Sequence, residues 1–263
     1  MTTYLGWLRA TKRAEGTIYQ HSYRLRRFAV DHAPAPWPVT LENLVAYMAS
    51  LDHLSPPAMR TVRQVLRGFY AWGHVVGRWA ENPGHHIPAI RATRGIPRPA
   101  PEHSVRVGLA TRDARTRLMV LLAVRVGLRC REVCQVRTDD VVPDLVGHSL
   151  IVRGKGGHER LVPIPHDVVV EIRQAEAGYL FPGQVEGHLS AAYVSKLVSQ
   201  ALPPGVTAHQ LRHRYATRAY QLGGRDIAAV QRLLGHAYVS TTQVYVEVDD
   251  DSVRRAALAA AAG

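Results

Sequence analysis

Residues 207–245 read TAHQLRHRYATRAYQLGGRDIAAVQRLLGHAYVSTTQVY, a run in which one local signal follows another. Thr207 followed three residues later by Gln210 is a capping-box pattern and predicts a helix starting there. That helix carries His209 in its first turn and Arg212 three positions on, on neighbouring parts of one face. Gly223-Gly224 ends it. Asp226 caps the next helix, whose Ile227, Val230, Leu233 and Leu234 keep helical spacing up to a stop at Gly235. Ser240 with Gln243 repeats the capping pattern and predicts a short helix carrying Tyr245. A His-Arg pair, a second histidine (His236) and a tyrosine thus arrive on successive helix starts, where backbone N–H groups favour anions. The chemistry this suits is that of a phosphate.

Working outward, Ser149–Arg153 and His158–Ile164 read as two strands around a tight Gly154-Lys155-Gly156-Gly157 turn, a hairpin. Before it, helical segments are expected around 103–110 and 113–125. Val126-Gly127-Leu128-Arg129 breaks the second and restarts a helix over 130–136, with Glu132 three residues from Arg129. Residues 82–101, NPGHHIPAIRATRGIPRPAP, lose both the helix and the strand period. We therefore place a linker at 91–101, between a first domain over 1–90 and a second over 102–263.

The first domain reads as short helices. Tyr4, Leu5, Trp7 and Leu8 open one. Thr17 starts another, with Ile18, Tyr23, Leu25 and Phe28 as apolar members and Arg24, Arg26 and Arg27 between them. After Pro34-Ala35-Pro36-Trp37-Pro38, Thr40 restarts a helix with Leu41, Leu44, Val45, Tyr47 and Met48. Pro56-Pro57 opens a longer one to about Trp79, with Val62, Val65, Leu66, Phe69 and Tyr70 inside and Arg60, Arg63 and Arg67 on a separate stripe. That stripe fits phosphates or, equally, a solvated face. The fold class expected is mainly α with a small β-hairpin or sheet, in two domains.

The formal charge is +12, from 33 Lys and Arg against 21 Asp and Glu, and the sequence pI is about 10.2. It is concentrated in front: residues 1–98 hold 13 basic and 5 acidic residues. Such a balance suits a polyanion such as DNA, or serves solubility. Lysine occurs only at positions 12, 155 and 196, so Lys155 in a glycine-rich turn stands out, because lysine gives up a proton where arginine does not. Cys130 and Cys134, one helical turn apart, lack zinc or disulfide spacing and read as packing residues in a reduced protein. No apolar run reaches the length of a membrane span, and MTTYLGWLRATKRAEG lacks a signal-peptide pattern, so the expectation is cytoplasmic.

Each candidate alone has a plainer reading. Arg129 with Glu132 fits a surface ion pair; Lys155 fits an exposed turn. Tyr245 fits a buried aromatic, as do Tyr215, Tyr220 and Tyr238. His209 and His213 have metal-pair spacing without the glutamate of an HExxH site, and His85-His86 lacks a third ligand, so no metal is expected.

Taken together the pieces resemble the tyrosine recombinase (phage integrase) family. Gly127-Leu128-Arg129 with Glu132 matches its arginine box. Residues 154–163, GKGGHERLVP, match its hairpin lysine. His209 to His213 matches its His-x-x-Arg-His box, and Leu234 to Tyr245 its Leu-Gly-His…Ser-Thr-Thr-Gln-x-Tyr segment. Val126 in place of the usual threonine and Arg131 in place of a small residue are the departures, and neither removes a reactive group.

The resemblance implies a catalytic set of Arg129, Lys155, His209, Arg212, His236 and Tyr245, supported by Glu132 and His213, with no cofactor. In that scheme Tyr245 attacks a phosphodiester, leaving a 3′-phosphotyrosine and a free 5′-hydroxyl. Arg129 and Arg212 clamp the non-bridging oxygens, Lys155 protonates the leaving oxygen, His209 serves as acid/base and His236 bonds a phosphate oxygen. It further implies a clamp around double-stranded DNA, with Arg24, Arg27, Arg60, Arg63 and Arg67 as candidate DNA contacts. The implied partners are attachment sites, a homotetramer on synapsed DNA and an accessory or directionality protein, in a bacterial cell near the nucleoid and away from membranes. A short form without an arm-binding domain is expected. The favoured activity is integration or excision of a phage or mobile element through a Holliday junction, with chromosome-dimer resolution as the alternative. The tail RRAALAAAAG is read as a docking segment in preference to a degradation signal. A type IB topoisomerase, a non-catalytic DNA-binding protein and a histidine-based metal hydrolase are the rival classes.

Overall fold

The structure is a computed structural model, and it describes residues 1–32, 39–91, 98–154 and 157–235. The chain divides into two compact units, Met1–Gly95 and Ile96–Gly263.

In the first unit, helices α1 (Thr2–Ala10), α2 (Glu15–His32), α3 (Leu41–Ala49) and α4 (Pro56–Val75) are followed by a 3-10 turn, Pro83–His86. Tyr4, Leu8, Ile18, Leu25, Phe28, Leu44, Tyr47 and the α4 residues Val62, Val65, Leu66, Phe69 and Tyr70 form the core. Two helix limits differ from those expected, the start of α2 and the end of α4. Helix α2 begins at Glu15, not Thr17, because the Thr17 and Ile18 N–H groups already close on the Ala14 carbonyl. Tyr23 is 45% exposed and stacks on Tyr19. The buried stripe runs Ile18, His21, Leu25 and Phe28, at spacings of three and four, and Tyr23 lies off that face. Val45 is exposed for the same reason. Helix α4 stops at Val75, short of Trp79. Gly77 turns the chain at a φ of 70°, and Trp79 folds back so that its indole N–H donates to the Tyr70 carbonyl at 2.8 Å. The ring lies against Gly73, where a Cβ would come within 1.8 Å of it, so only glycine fits there.

The second unit is helical around a small sheet. Its order is α5 (Glu102–Leu109), α6 (Ala114–Arg125), α7 (Cys130–Cys134), β1 (Val141–Pro143), β2 (His148–Arg153), β3 (Glu159–Ile164), α8 (His166–Arg173), β4 (Pro182–Val185), α9 (Ala191–Ala201), α10 (Ala208–Leu222) and α11 (Ile227–Leu234). The sheet runs β1-β2-β3, all antiparallel, with Leu150 opposite both Val141 and Val162. Strand β1 escaped the sequence reading because three residues are too few to show an alternation. Helix α7 ends at Cys134, one half-turn sooner than expected. Met119, Leu122, Leu150, Val162, Val168, Phe181 and Leu211 centre the core. Both cysteines are free, and Cys134 is buried. Among the described residues no helix is long and apolar enough to cross a membrane.

Candidate active site

Helix α6 ends at Arg125, and Gly127, at a φ of 73°, turns the chain against the ring of Tyr215 on α10. That turn delivers Arg129 as the N-cap of α7. Its backbone N–H donates to Glu132 Oε2 at 2.9 Å, and its guanidinium donates to Oε1 at 2.8 Å. Glu132 is only 3% exposed, so this is not the surface ion pair that the spacing alone allows. Arg160 of β3 grips the same carboxylate with both terminal nitrogens, at 2.9 and 3.1 Å, and Arg212 of α10 reaches it at 3.4 Å. Burial alone would raise the Glu132 pKa. The hydrogen bond from Arg160, that from the Arg129 N–H and the charges of Arg160 and Arg212 outweigh it and hold the carboxyl below its ordinary value.

The same guanidiniums cap helix α11. Asp226 Oδ1 accepts from the Ala228 and Ala229 N–H groups at one end, and Gly235 closes the other in the left-handed region. The carbonyls left at that terminus are the negative end of the helix dipole. Arg212 donates to Leu234 O at 2.6 Å, Arg129 to the same oxygen at 3.2 Å, and Arg160 Nε to Leu233 O at 2.9 Å. Three arginines against one carboxylate leave a local excess of positive charge facing the point where the chain continues to His236. The side chain of Arg129 is 41% exposed and that of Arg212 only 2%. Such a cluster can stabilise an anion whose charge grows during reaction.

Helix α10 starts at the predicted cap: Gln210 Oε1 accepts the Thr207 N–H at 2.8 Å. His209 stands exposed in its first turn, its ring centroid 4.3 Å from that of His213 in an edge-to-face contact. Burial pushes the His213 imidazole down to about 4, with His209 and Arg212 adding to the effect. His209 is lowered by desolvation and by the charges of Arg212 and Arg129. A neutral His209 beside two arginines is able to take a proton. Among the described residues no group of histidine, cysteine or carboxylate side chains is arranged to hold a metal ion.

The hairpin is rooted by Arg153, which pairs with buried Asp140 at 2.7 Å, and by the Gly154 N–H on the His158 carbonyl at 2.7 Å. Lys155, His236, Tyr245 and the alanine-rich tail lie outside the described residues. In the first unit, Arg60, Arg63 and Arg67 line one groove of about 600 Å³ with Gln64, Ala89 and Ile90. Arg63 is largely committed there, donating to the Ile87 and Pro88 carbonyls at 2.7 to 3.0 Å. Arg27 pairs with Asp31 at 3.2 Å, and Arg24 lies over the Tyr23 ring.

Arg160 was not singled out from the sequence. A signal existed: strand alternation puts it on the same face as buried Val162 and Ile164, and a charge on an inward face calls for a buried partner.

The profile of the Phage integrase family matches residues 102–252. Tyrosine recombinase XerC of Xanthomonas campestris pv. campestris is 34% identical over 213 residues, 74% of this chain, which spans 65% of that relative's length. Tyrosine recombinase XerA of Thermococcus kodakarensis is 32% identical over 262 residues, covering 91% of this chain and 87% of its own. Among solved structures, the XerH recombinase in a post-cleavage complex with its difH substrate superposes with a TM-score of 0.73 at 20% identity, over 91% of this chain and 78% of that one. A lambda integrase (75–356) dimer bound to a core site gives 0.72 at 17% identity, over 91% and 94%. At those identities the structural likeness speaks for the fold. The profile match, over more than half of the sequence, and the XerA match, over nearly all of it, fall on the chain that carries the Arg129, Glu132 and Arg212 cluster: it belongs to the tyrosine recombinase (phage integrase) family.

Proposed function

We propose that this chain is a site-specific DNA recombinase that cuts and rejoins strands through a 3′-phosphotyrosine at Tyr245. The observation that carries the reading is the anchoring of Arg129 and Arg212 on one buried carboxylate, Glu132, at the end of the helix that leads to His236 and Tyr245. In the proposed step the Tyr245 oxygen attacks phosphorus as the bond to the 5′ oxygen breaks. The phenolic proton passes to His209, and the departing oxygen takes one from Lys155. Arg129 and Arg212, with His236, offset the charge that builds on the non-bridging oxygens, each arginine contributing roughly 3–4 kcal/mol by analogy with oxyanion-hole donors. The phosphotyrosine conserves the bond energy, so religation to a second strand proceeds without ATP or metal. Arg24, Arg27, Arg60 and Arg67 are the contacts proposed to DNA phosphates, with Arg63 in a structural role first.

The proposed substrates are paired double-stranded attachment sites, held by a homotetramer and resolved through a Holliday junction. A lambda integrase tetramer bound to such a junction is a fold neighbour. Integration or excision of a phage or mobile element is the reading kept. An Xer-like chromosome-dimer resolvase is the second reading, and it fits relatives that are named tyrosine recombinases XerC and XerA. The deciding experiment uses a suicide duplex nicked near a bound site, in chelator, with wild type and Tyr245→Phe. A covalent adduct from wild type alone supports the proposal. An adduct that survives in Tyr245→Phe moves the nucleophile elsewhere, and none from wild type on a site it binds leaves a non-catalytic DNA-binding protein.

A further inference from the structure

Arg160 makes three directed bonds from one planar group. Nη1 and Nη2 take the two oxygens of Glu132 at 2.9 and 3.1 Å, and Nε takes the Leu233 carbonyl at 2.9 Å. Its side chain is 14% exposed, and each of its three nitrogens already donates to a protein oxygen. It sits on β3, the strand that leaves the Lys155 turn, and reaches the last turn of α11, after which the chain runs to His236 and Tyr245. Gly235 opens the space for it. A Cβ at that position would lie 3.0 to 3.1 Å from Arg160 Nη1, Cδ and Cζ, so a side chain there crowds the guanidinium as well as straining a φ of 61°.

We propose that Arg160 is a positioning residue that ties the hairpin to the end of α11 through Glu132, so that the proton donor and the nucleophile-bearing segment are set relative to one frame. This rests on the proposed transfer to Tyr245. The function depends on the fork and not on the charge, because an ammonium is a single point that cannot span a carboxylate and a carbonyl in three fixed directions.

The test uses Arg160→Lys, Arg160→Ala and Gly235→Asn, the last because asparagine tolerates the left-handed region yet adds a Cβ against the guanidinium. Two quantities are read: amide hydrogen exchange over the last turn of α11 in the DNA-free protein, and single-turnover cleavage of the suicide duplex at saturating protein, with DNA affinity measured separately. Exchange in that turn is expected to rise about tenfold or more in all three variants, as local opening becomes easier. Cleavage is expected to fall about 100-fold in Arg160→Lys as in Arg160→Ala, with DNA affinity changed by less than about threefold, a rate-against-binding split that general destabilisation does not produce. Wild-type cleavage in Arg160→Lys would show that charge alone suffices and overturn the proposal. So would a loss of affinity parallel to the loss of rate, which marks a phosphate ligand. If Arg160→Ala does not fold, the lysine and Gly235→Asn variants decide. If wild type itself forms no adduct, the proposed function falls, while unchanged exchange in the variants would separately remove the tie to α11.

Discussion

Arg212 on α10 donates to the Leu234 carbonyl at 2.6 Å and to the Gly127 carbonyl at 2.5 Å, joining the two places where glycine turns the chain beside the site. One buried guanidinium thereby holds the start of α7 and the end of α11 together, and the fold and the proposed chemistry share a residue.

That sharing separates the two clamp arginines. Arg212→Lys should lower the stability of the second unit by about 2–4 kcal/mol, because it abandons buried carbonyls and the tip of a buried carboxylate. The melting temperature should fall by roughly 5–15 °C. Arg129→Lys, at a side chain 41% exposed, should change stability by only about 1 kcal/mol while slowing strand cleavage by about 100-fold or more. Calorimetry and adduct formation on the same preparations check both, and equal melting losses in the two variants would contradict the division of labour.

Glu132→Gln keeps the shape of the hub and removes its charge. Arg129, Arg160 and Arg212 then repel one another with one neutral amide between them. A loss of about 3–5 kcal/mol is expected, as for breaking a buried ion pair from one side. Glutamine at wild-type stability in a denaturant titration would mean that the carboxylate is not the anchor.

The pH response follows from His213, whose pKa is pushed down to about 4 by burial, His209 and Arg212. A lowered folded-state pKa contributes stability that is complete above the ordinary value of 6.5 and is lost as pH falls towards about 4. Between pH 6.5 and 5 this loss belongs to the histidines, since Glu132 is lowered and stays ionised there. His213→Asn should reduce the fall in stability over that window by about 1 kcal/mol, a figure already discounted for partial exposure of the ring. Melting curves at pH 7 and pH 5 supply the comparison, and identical slopes in both proteins would count against it.

Gly127→Ala meets two obstacles at once. The residue has a φ of 73°, and a Cβ there would fall 2.2 Å from Tyr215 Cδ1. The expected cost is about 2–4 kcal/mol, from left-handed strain plus displacement of a packed ring. Adding Tyr215→Ala should recover the steric part and leave the strain, so the double variant should be less unstable than the separate effects added together.

Much of the architecture is written locally. The Asp226 cap, the Gly223-Gly224 stop, the left-handed Gly235 and the Gly127 break all sit where their residue types demand, because each depends on backbone conformation within one turn. The hairpin followed from alternation on both sides of a glycine-rich turn. Which face of a helix meets its neighbours is less legible, because it depends on packing beyond one turn. Tyr23 and Val45 are exposed, and α4 stops four residues early because Trp79 packs back on Gly73.

The sequence alone thus determined the limits of α10 and α11 and the pairing of the hairpin strands. Tertiary structure decided that Glu132 is buried, that Arg160 joins Arg129 and Arg212 upon it, and that all three bind the carbonyl end of α11. The reason is distance along the chain. A cap is settled within four residues, whereas Arg160 and Leu233 lie 73 apart, and only packing of the whole unit brings a guanidinium to a helix end so far away.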